Sequence, residues 1–231
     1  LGIAAHAEAT GRMHLITTAV EHKAVLEPVE VLSKRGFEVT VLPVDEKGWP
    51  TAIDLANALR NETVLVSTMH GNNETGVELP LEDYAAVLSN HDAWWHVDAA
   101  QTYGKRNEVL SDKRIDLISI SGHKVFAPKG IGALIVRRRG YERPPLTALM
   151  YGGGQERGLR PGTLPVALVA SLGLAGQLAG QEAVDRRESC ETFRKQVIDA
   201  LDSLGAEVNG DPGRVLPHVV NASIPGVDAE A

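Results

Sequence analysis

An α/β fold, with a mostly parallel central sheet and helices on both faces, is what the residues predict, followed by the start of a smaller C-terminal unit. Short apolar runs of strand character alternate with segments of helical spacing along most of the chain. Several of those runs carry no charge, as strands buried on both faces do. After the glycine-rich Tyr151-Gly152-Gly153-Gly154 the alternation gives way to a long Ala/Leu-rich and then charged stretch.

Taken in order, residues 1–7 read as the middle of a helix and residues 15–18 as a short strand. Residues 23–35 place Ala24, Val25, Leu26, Val29 and Leu32 at helical spacing, and Gly36 caps that helix. Residues 37–42 form a second strand, with Pro43 and Gly48 marking the turn region behind it. A helix from Thr51 to Arg60, a strand over 64–68 and a helix over 81–88 come next. Strands then follow at Trp94, at Ile115 and over 132–136. Pro165 opens one long helix or two reaching Leu204, and residues 206–208 and 219–223 read as strands of the smaller unit. The division expected is 1–164 for a large domain and 165–231 for the long helix and the beginning of a small one. Both chain ends read as cut.

Composition narrows the function. The formal charge of −7 argues against a nucleic-acid-binding surface, which needs clustered Lys and Arg. The one basic cluster, Arg137-Arg138-Arg139, reads as a solvated strand end. A single cysteine excludes an internal disulfide framework and suits a reducing compartment. No apolar run approaches a membrane span, and no leader is visible, so a cytoplasmic protein is expected.

Chemistry concentrates where apolar runs end. Ile115-Asp116-Leu117-Ile118-Ser119-Ile120 stops abruptly in Ser121-Gly122-His123-Lys124, which holds an amine at the carboxyl end of a buried strand. Trp94-Trp95-His96-Val97 ends likewise in Asp98-Ala99-Ala100-Gln101. Open α/β sheets bind ligands at those ends. A lysine and an aspartate delivered to one crevice suit pyridoxal phosphate: the amine forms the Schiff base and the carboxylate keeps the ring nitrogen protonated. The bland alternatives are a surface lysine and a turn aspartate. Asn73, in His70-Gly71-Asn72-Asn73-Glu74-Thr75-Gly76, reads as a turn residue or a donor to a ring oxygen. His22 reads as a helix cap or as an imidazole over a ring face. Arg157, Arg160 and Thr163 make the glycine-rich loop a linker or an anion contact for a neighbouring subunit. Cys190, in a charged helical stretch, reads as non-catalytic.

Together Glu21-His22-Lys23-Ala24-Val25, the His70–Gly76 run, His96-Val97-Asp98-Ala99-Ala100-Gln101 and Ser121-Gly122-His123-Lys124 resemble cysteine desulfurases of the NifS/IscS type. These are pyridoxal phosphate enzymes with the class V aminotransferase fold (the fold-type I transferase large domain), and the resemblance runs from about Met13 to the end. It implies Lys124 as the Schiff-base lysine, Asp98 as partner of the ring nitrogen, and Gln101 and Asn73 on the ring oxygen. It implies His22 as the stacking, proton-handling imidazole. Ser121 and His123 would hold the phosphate, with Thr163 reaching the other subunit's phosphate site. The family is homodimeric, takes sulfur from L-cysteine and releases L-alanine. It leaves a persulfide for a sulfur-acceptor protein, feeding iron–sulfur cluster assembly, tRNA thiolation or DNA phosphorothioation. Arg160-Pro161-Gly162 and Glu27-Pro28 resemble the phosphorothioation, DndA-like branch. Gly71 stands where Val is usual and Ala100 where Thr is common. The family's first phosphate-gripping loop and its persulfide cysteine have no counterpart here, and Cys190 does not match that position. A selenocysteine lyase, an aminotransferase and a non-catalytic dimeric scaffold are the alternatives.

Overall fold

The computed structural model describes residues 1–227; Asp228 to Ala231, the end of the expected small unit, lie outside the described residues. Its centre is a six-stranded sheet in the order β2-β1-β3-β4-β5-β6. The strands are β1 (His14–Thr18), β2 (Glu38–Leu42), β3 (Thr63–Met69), β4 (Trp94–Asp98), β5 (Leu117–Ser121) and β6 (Gly132–Val136). The first five are parallel and β6 runs antiparallel to β5. The connection from β1 leads to one side of the sheet and that from β3 to the other. Their carboxyl ends therefore flank a switch point, where α/β sheets open a crevice.

Two apolar clusters hold the helices to the sheet. On one face α1 (Ala4–Thr10) and α2 (Lys23–Lys34) bury Ala4, Ala7 and Leu32 against Leu15, Phe37, Val64 and Trp94. On the other, α3 (Ala52–Ala58) and α4 (Leu81–Leu88) bury Leu55, Leu81, Tyr84 and Leu88 against Ile16, Val66, Trp95, Val97 and Ile118. A short helix that the sequence did not predict, α5 (Asn107–Leu110), adds Val109 and Leu110 to that cluster. Thr51 starts α3 with a reciprocal cap: its hydroxyl accepts from Asp54 N, and Asp54 accepts from Thr51 N.

The long C-terminal stretch is two helices, α6 (Val166–Gln181) and α7 (Ala183–Asp202), broken at Glu182. Ala175 and Ala179 of α6 rest on Val125 and Ala127, beyond the end of β5. Behind them β7 (Glu207–Val208) and β8 (Ala222–Ser223) form an antiparallel pair, shorter than the expected second strand over 219–223. The chain between these two strands docks on the loop after β3. Leu216 N donates to Gly76 O at 2.7 Å, Glu78 N to Arg214 O at 2.9 Å, and Val77 bridges Val215.

The basic cluster after β6 corrects the expectation of a solvated strand end. Arg139 donates to both oxygens of the buried Asp116, at 3.0 and 2.7 Å, and lies 4.4 Å from the centroid of Trp94. Arg137 donates to the carbonyls of Asp112 and Leu110, and Arg114 also pairs with Asp116 at 2.8 Å. A carboxylate this deeply buried needs such partners. Asp116 also accepts from Trp95 N at 2.8 Å, and β5 begins only at Leu117, two residues later than the apolar run suggests.

Candidate active site

The sequence-predicted residues gather, with one exception, along the carboxyl edge of the parallel strands. His22 follows β1, Asn73 follows β3, Asp98 ends β4 with Gln101 in the turn beyond, and Ser121, His123 and Lys124 follow β5. Thr163 is the exception, lying exposed in the loop before α6.

Strand alternation sets the side chains. Trp95 and Val97 enter the apolar cluster on one face, so His96 and Asp98 stand on the other. Across that second face His96 Nδ1 meets Ser67 Oγ and His96 Nε2 meets Ser119 Oγ, both at 2.8 Å. Ser119 pairs with Asp98 in the ladder, and Ser121, two residues on, shares its face. The floor here is therefore polar from β3 to β5. Burial holds the His96 pKa down to about 4, against the pull of Asp98, so its ring is neutral.

Asp98 Oδ1 accepts from Ala100 N at 2.9 Å, and Oδ2 makes no hydrogen bond among the described residues. One carboxylate oxygen therefore shapes the turn after β4. His22 caps α2, its Nδ1 accepting from Ala24 N at 3.1 Å, with the ring exposed above the edge. In the loop after β3 it is Asn72, not Asn73, that makes the turn; its side-chain oxygen accepts from Glu74 N and Thr75 N, both at 2.8 Å. Asn73 and Gln101 keep their amides free of hydrogen bonds among the described residues.

Lys124 sits in a single 3₁₀ turn, Gly122–Val125, that begins where β5 stops. Gly122 is required there by crowding: a Cβ would lie 2.8 Å from Ile131 O. Gly132 is required likewise, its Cβ meeting Ile120 O at 2.7 Å. Phe126 ends the turn in the left-handed region, φ 67°, a conformation costly for a side chain that bulky. Ser121 Oγ lies 3.0 Å from His123 Nδ1. Gln101, His123 and Lys124 open onto a cleft of about 660 Å³ whose far wall is α7, including Arg186 and Cys190.

Three residues that sequence reasoning left unassigned belong to this edge. His96 was legible, being two residues from Asp98 on one strand. Glu21 was legible only as part of a motif. Its side chain is buried, Oε1 accepting from the Thr18 hydroxyl at 2.7 Å and from Met69 N at 2.5 Å, so it ties the end of β1 to the end of β3. Its Oε2 has no hydrogen-bond partner among the described residues. Lys105, in the turn after β4, had no signal at all.

A doubly covered parallel sheet with a lysine turn after one strand and an aspartate at the end of its neighbour is the large-domain plan of the class V aminotransferases. The model of the family described as Aminotransferase class-V matches residues 2–231, and the chain belongs to that family. Within it, the mitochondrial cysteine desulfurase of Saccharomyces cerevisiae is 43% identical over 223 residues, covering 95% of this chain and 44% of the yeast protein. The crystal structure of DndA from Streptomyces lividans superposes with a TM-score of 0.95 at 48% identity, covering 99% of this chain and 64% of that one. SspA in complex with cysteine superposes over 76% of this chain and 51% of that one, with a TM-score of 0.66 and 41% identity. The chain spans about half the length of the curated relatives it matches. Cysteine desulfurases of this family depend on pyridoxal phosphate. Among the described residues no helix is long and apolar enough to cross a membrane.

Proposed function

We propose that the full-length protein is a cysteine desulfurase that uses pyridoxal 5′-phosphate to take sulfur from L-cysteine and release L-alanine. One observation supports this most. Asp98 and Lys124 stand at the carboxyl ends of adjacent parallel strands, in a chain over 40% identical to a cysteine desulfurase across 95% of its length.

The donor set fits the cofactor. Asp98 keeps Oδ2 for a protonated ring nitrogen, and Lys124 offers the amine that would hold the aldehyde carbon. Gln101 and Asn73 offer amides for the phenolic oxygen. Ser121 and His123 offer a hydroxyl and an imidazole for the phosphate. Bound there, the cofactor supplies an electron sink at the substrate α-carbon. Lys124 would take the α-proton at Nζ, Asp98 would keep the ring nitrogen charged, and the exposed His22 ring would cover one face and move protons. The carbon–sulfur bond of cysteine breaks, the carbon gains a proton to give alanine, and the sulfur joins a cysteine thiolate as a persulfide for an acceptor protein. The active form would be a homodimer in which Thr163 serves the partner's phosphate site; sedimentation of the full-length protein tests this.

Lys124→Ala in the full-length protein is expected to abolish the visible absorbance of bound cofactor and its borohydride trapping, and to reduce alanine formation from cysteine by more than about 10³-fold. An unchanged spectrum would remove Lys124 from the site. A keto acid in place of alanine and sulfide would make the protein an aminotransferase.

A further inference from the structure

Lys105 sits four residues beyond Gln101, and its amine is directed inward. Nζ donates to the backbone carbonyl of Gln101 at 3.0 Å and to that of Lys124 at 3.2 Å. These carbonyls belong to two separate strand-end segments, one after β4 and one after β5, and each segment carries a residue of the proposed site. A lysine amine is seldom placed this way, because an ammonium drawn out of water must be repaid by its hydrogen bonds. Burial, with the charges of Lys124 and Arg186 beside it, brings the Lys105 pKa down to about 8. The titratable and charged groups that face it are Lys124 from the turn after β5, Arg186 and Cys190 from α7, and His218 from the segment between β7 and β8. Gly104, just before it, is pressed against Ala179 and Val125, where a Cβ would lie 2.7 and 3.0 Å away. The Lys105 backbone is thereby held close to the Lys124 turn.

We propose that Lys105 is a positioning residue for Lys124: its ammonium fastens the turn carrying Lys124 to the segment carrying Gln101 and keeps a second positive charge beside the Lys124 amine. The proposal rests on reading Lys124 as the residue that holds the cofactor. Loss of the two hydrogen bonds would let the Lys124 turn drift, and a misplacement of about 1 Å can cost on the order of 100-fold in rate. Loss of the charge would remove a repulsion felt by any positive charge held beside it at the cofactor aldehyde.

The test uses full-length protein loaded with pyridoxal phosphate, with Lys105→Met, Lys105→Arg and Lys124→Ala compared with the parent. In Lys105→Met the cofactor is expected to remain bound. The pH midpoint of its visible band should move upward by about one unit, and kcat should fall about 10- to 100-fold with KM changed less than about 3-fold. Lys105→Arg, which keeps the charge, should hold the midpoint closer to that of the parent. If Lys105→Met does not fold, Lys105→Gln, which keeps an N–H donor without the charge, should show the same upward shift. A Lys105→Met or Lys105→Gln protein with the parent's midpoint and kcat overturns the proposal. Failure of the underlying reading is seen separately, as a visible band that survives in Lys124→Ala.

Discussion

Two carboxyl groups stand at the carboxyl edge of the sheet, and their surroundings set them apart. Asp98 is half-buried and keeps an oxygen free of the chain, whereas Glu21 is buried and clamped between Thr18 and Met69 N. Burial lifts the Glu21 pKa to about 8, and the charge of Asp98 adds to this. The Thr18 hydroxyl and the Met69 N–H pull the other way without prevailing. Glu21 is therefore protonated at neutral pH. The folded protein holds this proton up to about pH 8, while the unfolded chain releases it near 4.5. The stability contributed by this proton is fully present below pH 4.5, falls as pH rises towards 8, and is absent above it, with a slope on the order of 1 kcal/mol per unit. Glu21→Gln keeps the shape without the ionisation, so its melting temperature should lose that decline between about pH 5 and 8. A variant whose melting temperature tracks the parent's across this range would show Glu21 to be ionised in the fold. None of this was readable in the Glu21-His22 motif, because Met69 lies 48 residues away. The same distance effect hid the role of Arg139, whose carboxylate partner Asp116 lies 23 residues earlier in the chain.

Among the elements, β5 and its turn show most clearly what spacing can and cannot reveal. The apolar run before Lys124 marked a buried strand, and strand alternation fixed the facing of Ser119 and Ser121. The need for Gly122 came from elsewhere, since Ile131 on the returning segment presses its carbonyl to within 2.8 Å of where a Cβ would sit. Gly122→Ala should therefore force β5 and β6 apart at the turn. The expected cost is about 1–3 kcal/mol, read as a lowered melting temperature together with weaker cofactor retention. Gly154→Ala is the control, since a Cβ there meets nothing within 4 Å. Equal melting temperatures for the two variants would mean that the turn tolerates the methyl group. The break between α6 and α7 was likewise invisible locally, both flanks having helical composition. It falls at Glu182, just past the stretch where Ala175 and Ala179 rest on the Lys124 turn.

For the molecule as a whole, surface and site point the same way. Val166 and Leu174 of α6 are 73% and 57% exposed, Tyr151 is 87% exposed, and Thr163 lies in the exposed loop between them. A hydroxyl held away from its own edge can serve a neighbour's. Full-length protein is expected to sediment as a dimer at micromolar concentration. A single monomeric species would remove Thr163 from any phosphate site. The amino-acid order by itself determined the class of fold, the alternation of strands and helices, and which side chains stand at strand ends. Periodicity and end motifs are local, and they survive without neighbours. The folded structure alone decided that Glu21 is neutral, that Lys105 grips two segments, that Arg139 is held by Asp116 and that Cys190 faces the Lys124 cleft. Burial and partnership depend on contacts between residues far apart along the chain, and no local pattern encodes them.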